Sequence, residues 1–109
     1  MITWDNFEKI DMRVGTIVEI NDFPKAKKPA YQLRIDFGEL GVKASSAQIT
    51  SFYSKESLLG KQVIAVVNFS PKQIANFISE CLVLGVYTEH KEVILLQPER
   101  GTINGGKIG

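Results

Sequence analysis

The residues best suited to chemistry in this sequence are lysines and aromatic rings grouped in two polar segments. The first segment, Phe23–Ala30, contains Lys25, Lys27 and Lys28 and no acid. The second, Asn68–Glu80, lies between two apolar runs and combines a cation with amides and aromatic rings. Ammonium groups bind phosphates as point charges, and exposed rings stack on bases or line a peptide groove. Both segments are therefore predicted to contact a ligand.

Further candidates lie within these segments and on the strands between them. Arg34 and Lys72 have neutral polar neighbours rather than acids, which favours both as contacts. Phe69 and Phe77 have two open interpretations: they stack on a base or groove ligand, or they close one end of a barrel. The candidate RNA- or peptide-binding residues are Lys25, Lys27, Lys28, Arg34, Lys43, Asn68, Phe69, Lys72, Gln73, Asn76, Phe77 and Ser79.

Composition limits the classes of function. The 109 residues form one domain, 1–109, and the net charge of +1 predicts neither nucleic-acid nor membrane binding from bulk electrostatics. The charges are unevenly placed, because most acids lie before Phe23 or after Ser79. A one-sided positive face is therefore predicted.

Catalytic and metal-binding patterns are missing from the sequence. Cys81 is the only cysteine, which rules out an internal disulfide, and its apolar run predicts a buried side chain. His90 has no neighbouring set of metal ligands, and Ser45 and Ser46 have no His-Asp arrangement to serve. We expect no enzyme activity, no cofactor and no metal. With no leader segment and no apolar run long enough to span a membrane, we expect a cytoplasmic protein.

Short apolar runs with period-two alternation predict an all-β fold. The order of elements is typical of a five-stranded OB barrel with a short N-terminal helix and a C-terminal extension. Ligands of this barrel bind at strands two and three and at the loops after strands one and four, which are here the two polar segments. The predicted strands are Met12–Ile20, Tyr31–Phe37, Val42–Ala47, Gln62–Val67, Cys81–Tyr87 and Val93–Gln97, with a helix between Ser54 and Gly60.

Three local features accompany this prediction. Asp5 is expected to cap the N-terminal helix, with Glu8 completing a capping box. Gly15 is expected to mark a bend or bulge in the first strand. The glycine-rich end, Pro98–Gly109, is expected to be loose or to lie along a partner, because it is almost without apolar residues.

Surplus apolar surface predicts a homodimer. The last strand is apolar on both faces although a barrel has one interior, and the N-terminal helix carries aromatic rings that it cannot bury alone. The predicted interface residues are Trp4, Phe7, Val93, Ile94, Leu95 and Leu96.

Several motifs together resemble the tRNA-binding domain shared by aminoacyl-tRNA synthetases and free-standing tRNA-binding proteins, and most closely the CsaA family. Where that family usually has Gly after Pro-Lys-Gln-Ile-Ala, this chain has Asn76, which tolerates left-handed backbone. The motifs are Asp11-Met12-Arg13-Val14-Gly15, Lys28-Pro29-Ala30-Tyr31, Ser45-Ser46-Ala47-Gln48-Ile49-Thr50, Val67-Asn68-Phe69, Pro71-Lys72-Gln73-Ile74-Ala75 and Leu95-Leu96-Gln97-Pro98.

The resemblance implies an OB-fold homodimer that acts as a chaperone in protein export and is related to tRNA binders. Its implied partners are tRNA or other structured RNA, unfolded preproteins and the Sec export machinery. Three functions stay open: an RNA binder, a chaperone for unfolded polypeptide, and an accessory domain that delivers tRNA to an aminoacyl-tRNA synthetase.

Overall fold

The computed structural model describes all of residues 1–109. In chain order its elements are helix α1 (Trp4–Glu8), strands β1 (Met12–Asp22) and β2 (Tyr31–Asp36), a 3-10 turn (Gly38–Leu40), β3 (Val42–Ala47), helix α2 (Lys55–Leu58), β4 (Gln62–Val66), β5 (Lys72–Ile74), β6 (Phe77–Ser79), β7 (Leu82–Val83), β8 (Gly85–Tyr87) and β9 (Val93–Leu95). Five strands form one antiparallel sheet in the order β3-β2-β1-β4-β7, which curls into a nearly closed barrel. The predicted all-β, OB-type barrel with a short N-terminal helix is confirmed.

The core lies inside this barrel and follows the alternation of β2. Leu33, Ile35 and Phe37 are fully buried, whereas Arg34 between them is exposed, so the predicted two-residue period is confirmed. Burial of a large apolar side chain contributes about 1.5–3 kcal/mol, and these three side chains lie in one cluster of buried residues.

The bulge in β1 lies three residues beyond the predicted position. Gly15 keeps regular pairing with Val63, while the register towards β2 shifts between Ile17 and Glu19. The extra residue, Val18, reverses the inward side of the strand: Ile17 is buried before the bulge, whereas after it Glu19 is exposed and Ile20 packs against the core. Glycine is needed at position 15 for a different reason, namely close packing. A Cβ there would lie 2.6 Å from Ile35 Cγ2.

The polar segment Asn68–Glu80 is a β-hairpin rather than an irregular loop. Strands β5 and β6 pair antiparallel, and a two-residue turn joins them. The first turn residue, Ala75, has a φ of 52°, and its carbonyl accepts a hydrogen bond from Gln73 Nε2 at 3.2 Å. The left-handed position is thus Ala75 and not Asn76, and a positive φ at the first turn residue alone is the pattern of a type II′ turn.

The predicted strand Cys81–Tyr87 is divided in two at Leu84. The first part, β7, pairs with β4, and the second part, β8, pairs with β9. Leu84 joins both pairings, because its N–H donates to the Ile64 carbonyl and its carbonyl accepts from Leu96 N–H. The last strand is also shorter than predicted and ends at Leu95.

Both helices are short, and each begins directly after a residue whose side chain caps it. Thr3, and not Asp5, caps α1, and it forms a capping box with Asn6. Ser54 caps α2 as predicted, in a capping box with Ser57. Neither helix is long and apolar enough to cross a membrane.

The C-terminal segment is ordered against its own chain. Val14 N–H donates to the Gly106 carbonyl at 3.0 Å, and Gly105 N–H donates back to the Val14 carbonyl at 2.7 Å. Asn104 Oδ1 accepts hydrogen bonds from Thr16 Oγ1 and Gln62 Nε2. The segment therefore lies along β1, so the predicted loose tail is wrong, and a contact of this segment with a partner stays a prediction.

Candidate nucleic-acid interface

The barrel closes at a seam between β3 and the end of the β5–β6 hairpin, and side chains supply part of this seam. Glu80 N–H donates to the Ala44 carbonyl at 2.8 Å, and Ala44 N–H donates back to Glu80 Oε1 at 2.9 Å. Ser46 N–H similarly donates to Ser79 Oγ at 3.1 Å. Carboxylate and hydroxyl oxygens thus take the place of carbonyl groups, and Ser79 has a structural role at the seam.

Cys81 is buried at the same seam. Its carbonyl accepts a hydrogen bond from Ser45 Oγ at 2.9 Å, and its thiol lies 3.6 Å from the Ala44 carbonyl. Burial raises the pKa of the Cys81 thiol to about 11, because a thiolate would lose its hydration there. The thiol is therefore protonated at neutral pH, as expected for a buried small side chain.

Four lysines converge on a groove above this seam, which we call the basic groove. Lys25, Lys27 and Lys28 come from the segment after β1, and Lys72 comes from β5 on the opposite side. The groove has a volume of about 580 Å³, and no acid lines it. None of the four lysines forms an ion pair. The two polar segments identified in the sequence are thus brought together at one site.

A second pocket adjoins the basic groove, and we call it the Phe69 pocket. It has a volume of about 310 Å³ and shares the lining residues Ser46, Lys72 and Ile74 with the groove. Phe69 is 56% exposed and forms part of its wall. The ring is therefore available to a ligand.

Phe77 has a different environment. Its ring packs against the buried Phe23 with 5.6 Å between the ring centroids, and the side chain is only partly exposed. Phe77 thus joins the hairpin to the segment that contains the three lysines, a contact that favours the second of its two predicted interpretations. The two aromatic rings of the hairpin region therefore have different roles.

Several other predicted contacts lie outside the basic groove. Arg34 does have an acidic neighbour, because the bulge in β1 places Glu19 opposite it with 3.6 Å between Nε and Oε2. Lys43 is half-buried on β3 and does not line the groove, and Asn76 is at the exposed hairpin turn. The expectation that Arg34 has no acid to pair with is therefore wrong.

Asn68 holds the hairpin to the N-terminal segment. Its Oδ1 accepts from Asp11 N–H at 3.0 Å, and its Nδ2 donates to the Lys9 carbonyl at 2.8 Å. Both ends of this amide are used inside the chain, so Asn68 positions the neighbouring Phe69.

The sequence predictions omitted several lining residues. Ser46 and Gln48 at the end of β3 line the basic groove, and Glu80 lines the Phe69 pocket. The alternation along β3 could have indicated Ser46, whereas the contact of Glu80 with Ala44 depends on long-range register. No group of three or more His, Cys, Asp or Glu side chains is placed to hold a metal ion.

A separate apolar surface lies around α1. Trp4 is 88% exposed and Ile2 is also exposed, and a pocket of about 550 Å³ lies between them, Phe7 and Gly109. No residue of α1 is buried within the chain.

The predicted interface residues of the last strand lie on its two opposite faces. Leu95 is 7% exposed and belongs to the core cluster, and Val93 packs against that cluster. Ile94 and Leu96 are exposed. Leu95 therefore faces the core and is not available to an interface, because side chains alternate between the two faces of β9.

Comparisons with known proteins agree with this geometry. Residues 12–107 match the family described as "Putative tRNA binding domain". Two similar solved structures are the CsaA chaperone protein from Picrophilus torridus, at 58% identity and a TM-score of 0.94, and chaperone CsaA from Bacillus anthracis strain Ames, at 50% identity and a TM-score of 0.95. Each comparison covers all of this chain and 99% or more of the other.

Methionine–tRNA ligases are similar over a short part of their length. The enzyme of Nanoarchaeum equitans is 34% identical over 99% of this chain, and that of Methanococcoides burtonii is 36% identical over 96% of it. The chain spans only 14% and 15% of these two relatives.

Proposed function

The chain belongs to the tRNA-binding domain family and, within it, to the CsaA proteins, and on this basis we propose that it is a homodimeric protein that binds tRNA or other structured RNA. The observation that carries the proposal is the convergence of four lysines without ion-pair partners on one groove free of acids. Ammonium groups without carboxylate partners are available to phosphates. Since tRNA is a cytoplasmic RNA, a cytoplasmic location is part of the proposal.

The groove reads the RNA backbone more than its bases. Lysine is a point charge, whereas the bidentate fork of arginine suits base edges, and no arginine lines the groove. Affinity is therefore expected to fall steeply with salt and to vary little among tRNA species. The protein has a binding role in this proposal, without a catalytic step.

Lys72→Glu tests the proposal directly. The change removes a cation and introduces an anion in a groove with no acid, so tRNA affinity should fall by roughly tenfold or more at low salt. The slope of log affinity against log salt should decrease by about 0.7 to 0.9 for each phosphate that the variant no longer neutralises. Fluorescence anisotropy with labelled tRNA across a salt series measures both quantities.

Lys107→Glu is the matched control for this experiment. Lys107 is exposed and does not line the groove. Its backbone pairs with that of Arg13 in an isolated antiparallel β-bridge at the start of β1. Its substitution makes the same change in net charge. If both variants bind tRNA as the wild type does, the basic groove is not the RNA site.

The apolar surface around α1 supports the dimer in this proposal. A five-residue helix with no buried residue is marginal by itself, because helices that short gain stability from packing. A second copy of the chain would cover Trp4 and Phe7 together with Ile94 and Leu96. Light scattering at micromolar concentration should give twice the mass of the chain, and a monomer mass would contradict the dimer.

A second candidate function is that of a chaperone for unfolded preproteins, with the Sec export machinery as a further partner. A groove of about 400 Å³ between the end of β3 and the β7–β8 segment favours it, because Ile49, Leu82 and Val93 line that groove. Such a surface suits an extended apolar peptide. Salt-insensitive binding of an unfolded polypeptide, unaffected by excess tRNA, would distinguish this function from RNA binding.

A third candidate is an accessory domain that delivers tRNA to an aminoacyl-tRNA synthetase. The similarity to short parts of methionine–tRNA ligases supports it. An increase in the rate of aminoacylation by a synthetase when this protein is added would favour delivery. An unchanged rate would mean that the protein binds tRNA but does not deliver it to the synthetase.

A further inference from the structure

The Phe69 pocket differs in chemistry from the basic groove beside it. Phe69, Ile74 and Leu82 give it apolar walls, while the groove is lined mainly by cations and amides. Its volume of about 310 Å³ is at the lower end of the range for small-ligand pockets. The pocket therefore has room for one planar ring system and not for a folded element.

One polar group in this pocket is negatively charged. Glu80 Oε1 accepts a hydrogen bond from Ala44 N–H at 2.9 Å, whereas Oε2 has no partner in the chain and is not sealed from solvent. A free carboxylate oxygen repels phosphate and accepts hydrogen bonds from N–H groups. Phosphate thus favours the basic groove, and a neutral group that carries N–H donors favours the Phe69 pocket.

The two sites are continuous, and a cation lies at their junction. Lys72 lines both of them, as do Ser46 and Ile74. A nucleotide whose phosphate contacts Lys72 can therefore direct its base towards Phe69. This arrangement requires a base that is not paired within a duplex, because a stacked and paired base cannot enter a side pocket.

We propose that the Phe69 pocket binds one unpaired base of the RNA, stacked on Phe69, and prefers a base with an exocyclic amino group. The inference rests on the RNA binding proposed above and adds one selective position to a contact that otherwise follows the backbone. Cytosine and uracil make the clearest comparison, because cytosine presents its N4 amino donor where uracil presents the O4 acceptor. Glu80 accepts a hydrogen bond from the first and repels the second.

The test uses a short single-stranded RNA of abasic riboses in which one central nucleotide is uridine, cytidine or also an abasic ribose. Binding is measured by fluorescence anisotropy at one salt concentration with wild type, Phe69→Ala and Glu80→Gln. Phe52→Ala is the matched control, since Phe52 is 51% exposed and lines neither site. Thermal unfolding confirms that each variant is folded.

The wild type should bind the cytidine RNA roughly tenfold more tightly than the uridine RNA, the value of one charge-assisted hydrogen bond. It should bind the abasic RNA roughly tenfold more weakly than the uridine RNA, the value of one base stacked on an aromatic ring. Phe69→Ala should remove the second difference. Glu80→Gln keeps an acceptor for Ala44 N–H and gains an N–H₂ donor, so it should reduce or reverse the preference for cytidine.

Three results would overturn the inference, and they have different consequences for the proposed RNA binding. If the wild type binds all three RNAs equally and with steep salt dependence, the pocket holds no base and RNA binding stands. If Phe69→Ala weakens binding of an unfolded polypeptide and not of RNA, the pocket is a peptide site. If no RNA binds at any salt concentration, the proposed function fails as well.

Discussion

The two sides of the barrel are held together in different ways, and the basic groove and the Phe69 pocket both lie on one of them. On the side of β1, backbone hydrogen bonds run along both neighbours, β2 and β4. At the seam, β3 is joined to residues 79–81 partly by side chains of serine and glutamate. Side chains leave gaps between strands that a continuous ladder fills. Ser46 of β3 lines the basic groove, the Phe69 pocket and the groove between the end of β3 and the β7–β8 segment. The grooves thus lie where the strand pairing is incomplete.

Gly15→Val gives the largest expected effect, because it disturbs the continuous side. The new side chain would meet Ile35 and Phe37, which are fully buried and have atoms within 2.7 Å of the point where a Cβ of residue 15 would lie. We expect a loss of about 3 kcal/mol in the free energy of unfolding. Urea denaturation measures it, and Gly101→Val is the control, because nothing lies within 4 Å of a Cβ there. Equal stability of the two variants would contradict the tight packing of β1.

Alkaline pH should weaken the seam through Cys81. The folded-state pKa is raised from 9.0 to about 11, so the contribution to stability is complete below pH 9 and is lost as the pH rises through 11. Two pKa units correspond to about 2.7 kcal/mol, and we expect an effect of about 2 kcal/mol. Unfolding in urea at several pH values between 8 and 11 should show a steeper loss for the wild type than for Cys81→Ala. Parallel curves would mean that the thiol is not perturbed.

Glu80→Ala tests the seam more locally. It leaves Ala44 N–H without its acceptor, which costs about 1–3 kcal/mol for a buried group. At this partly buried hydrogen bond we expect a value in the lower half of that range, about 1.5 kcal/mol. The amide proton of Ala44 should exchange faster with solvent, whereas that of Val63 in the ladder between β1 and β4 should not. Glu80→Gln, which retains the acceptor, should restore slow exchange. If Glu80→Ala leaves the exchange of Ala44 unchanged, the carboxylate does not hold the seam.

Ala75→Gly gives the smallest expected effect and strengthens the hairpin next to the seam. A left-handed backbone costs a non-glycine residue about 1–2 kcal/mol, and glycine gives back part of this gain through its more disordered unfolded state. We expect a net gain of about 0.5 kcal/mol in a thermal or urea unfolding measurement. Asn76→Gly is the control, because Asn76 has no positive φ, and it should not stabilise the protein. A larger gain from Asn76→Gly would show that the strained residue of the turn is Asn76 and not Ala75.

The sequence predicted the barrel and the segments of the groove because both depend on local patterns. Alternation along β2 and the lysines after β1 are visible in a few neighbouring residues. The sequence did not predict the ion pair of Arg34, because a one-residue bulge decides which residue lies opposite it. Glu80 was missed for the same reason, since its partner Ala44 is distant in sequence and only the closed barrel brings them together.

The path of the last residues has a consequence for solubility. The pairing of β1 with β2 begins at Thr16, so on that side the start of β1 presents free N–H and C=O groups. Gly105, Gly106 and Ile108 occupy these groups through hydrogen bonds with Val14 and Met12. An exposed strand edge is a template for pairing with another molecule, and covering it prevents aggregation. Deletion of the last few residues should therefore reveal itself first as precipitation at high protein concentration, before any loss of the barrel.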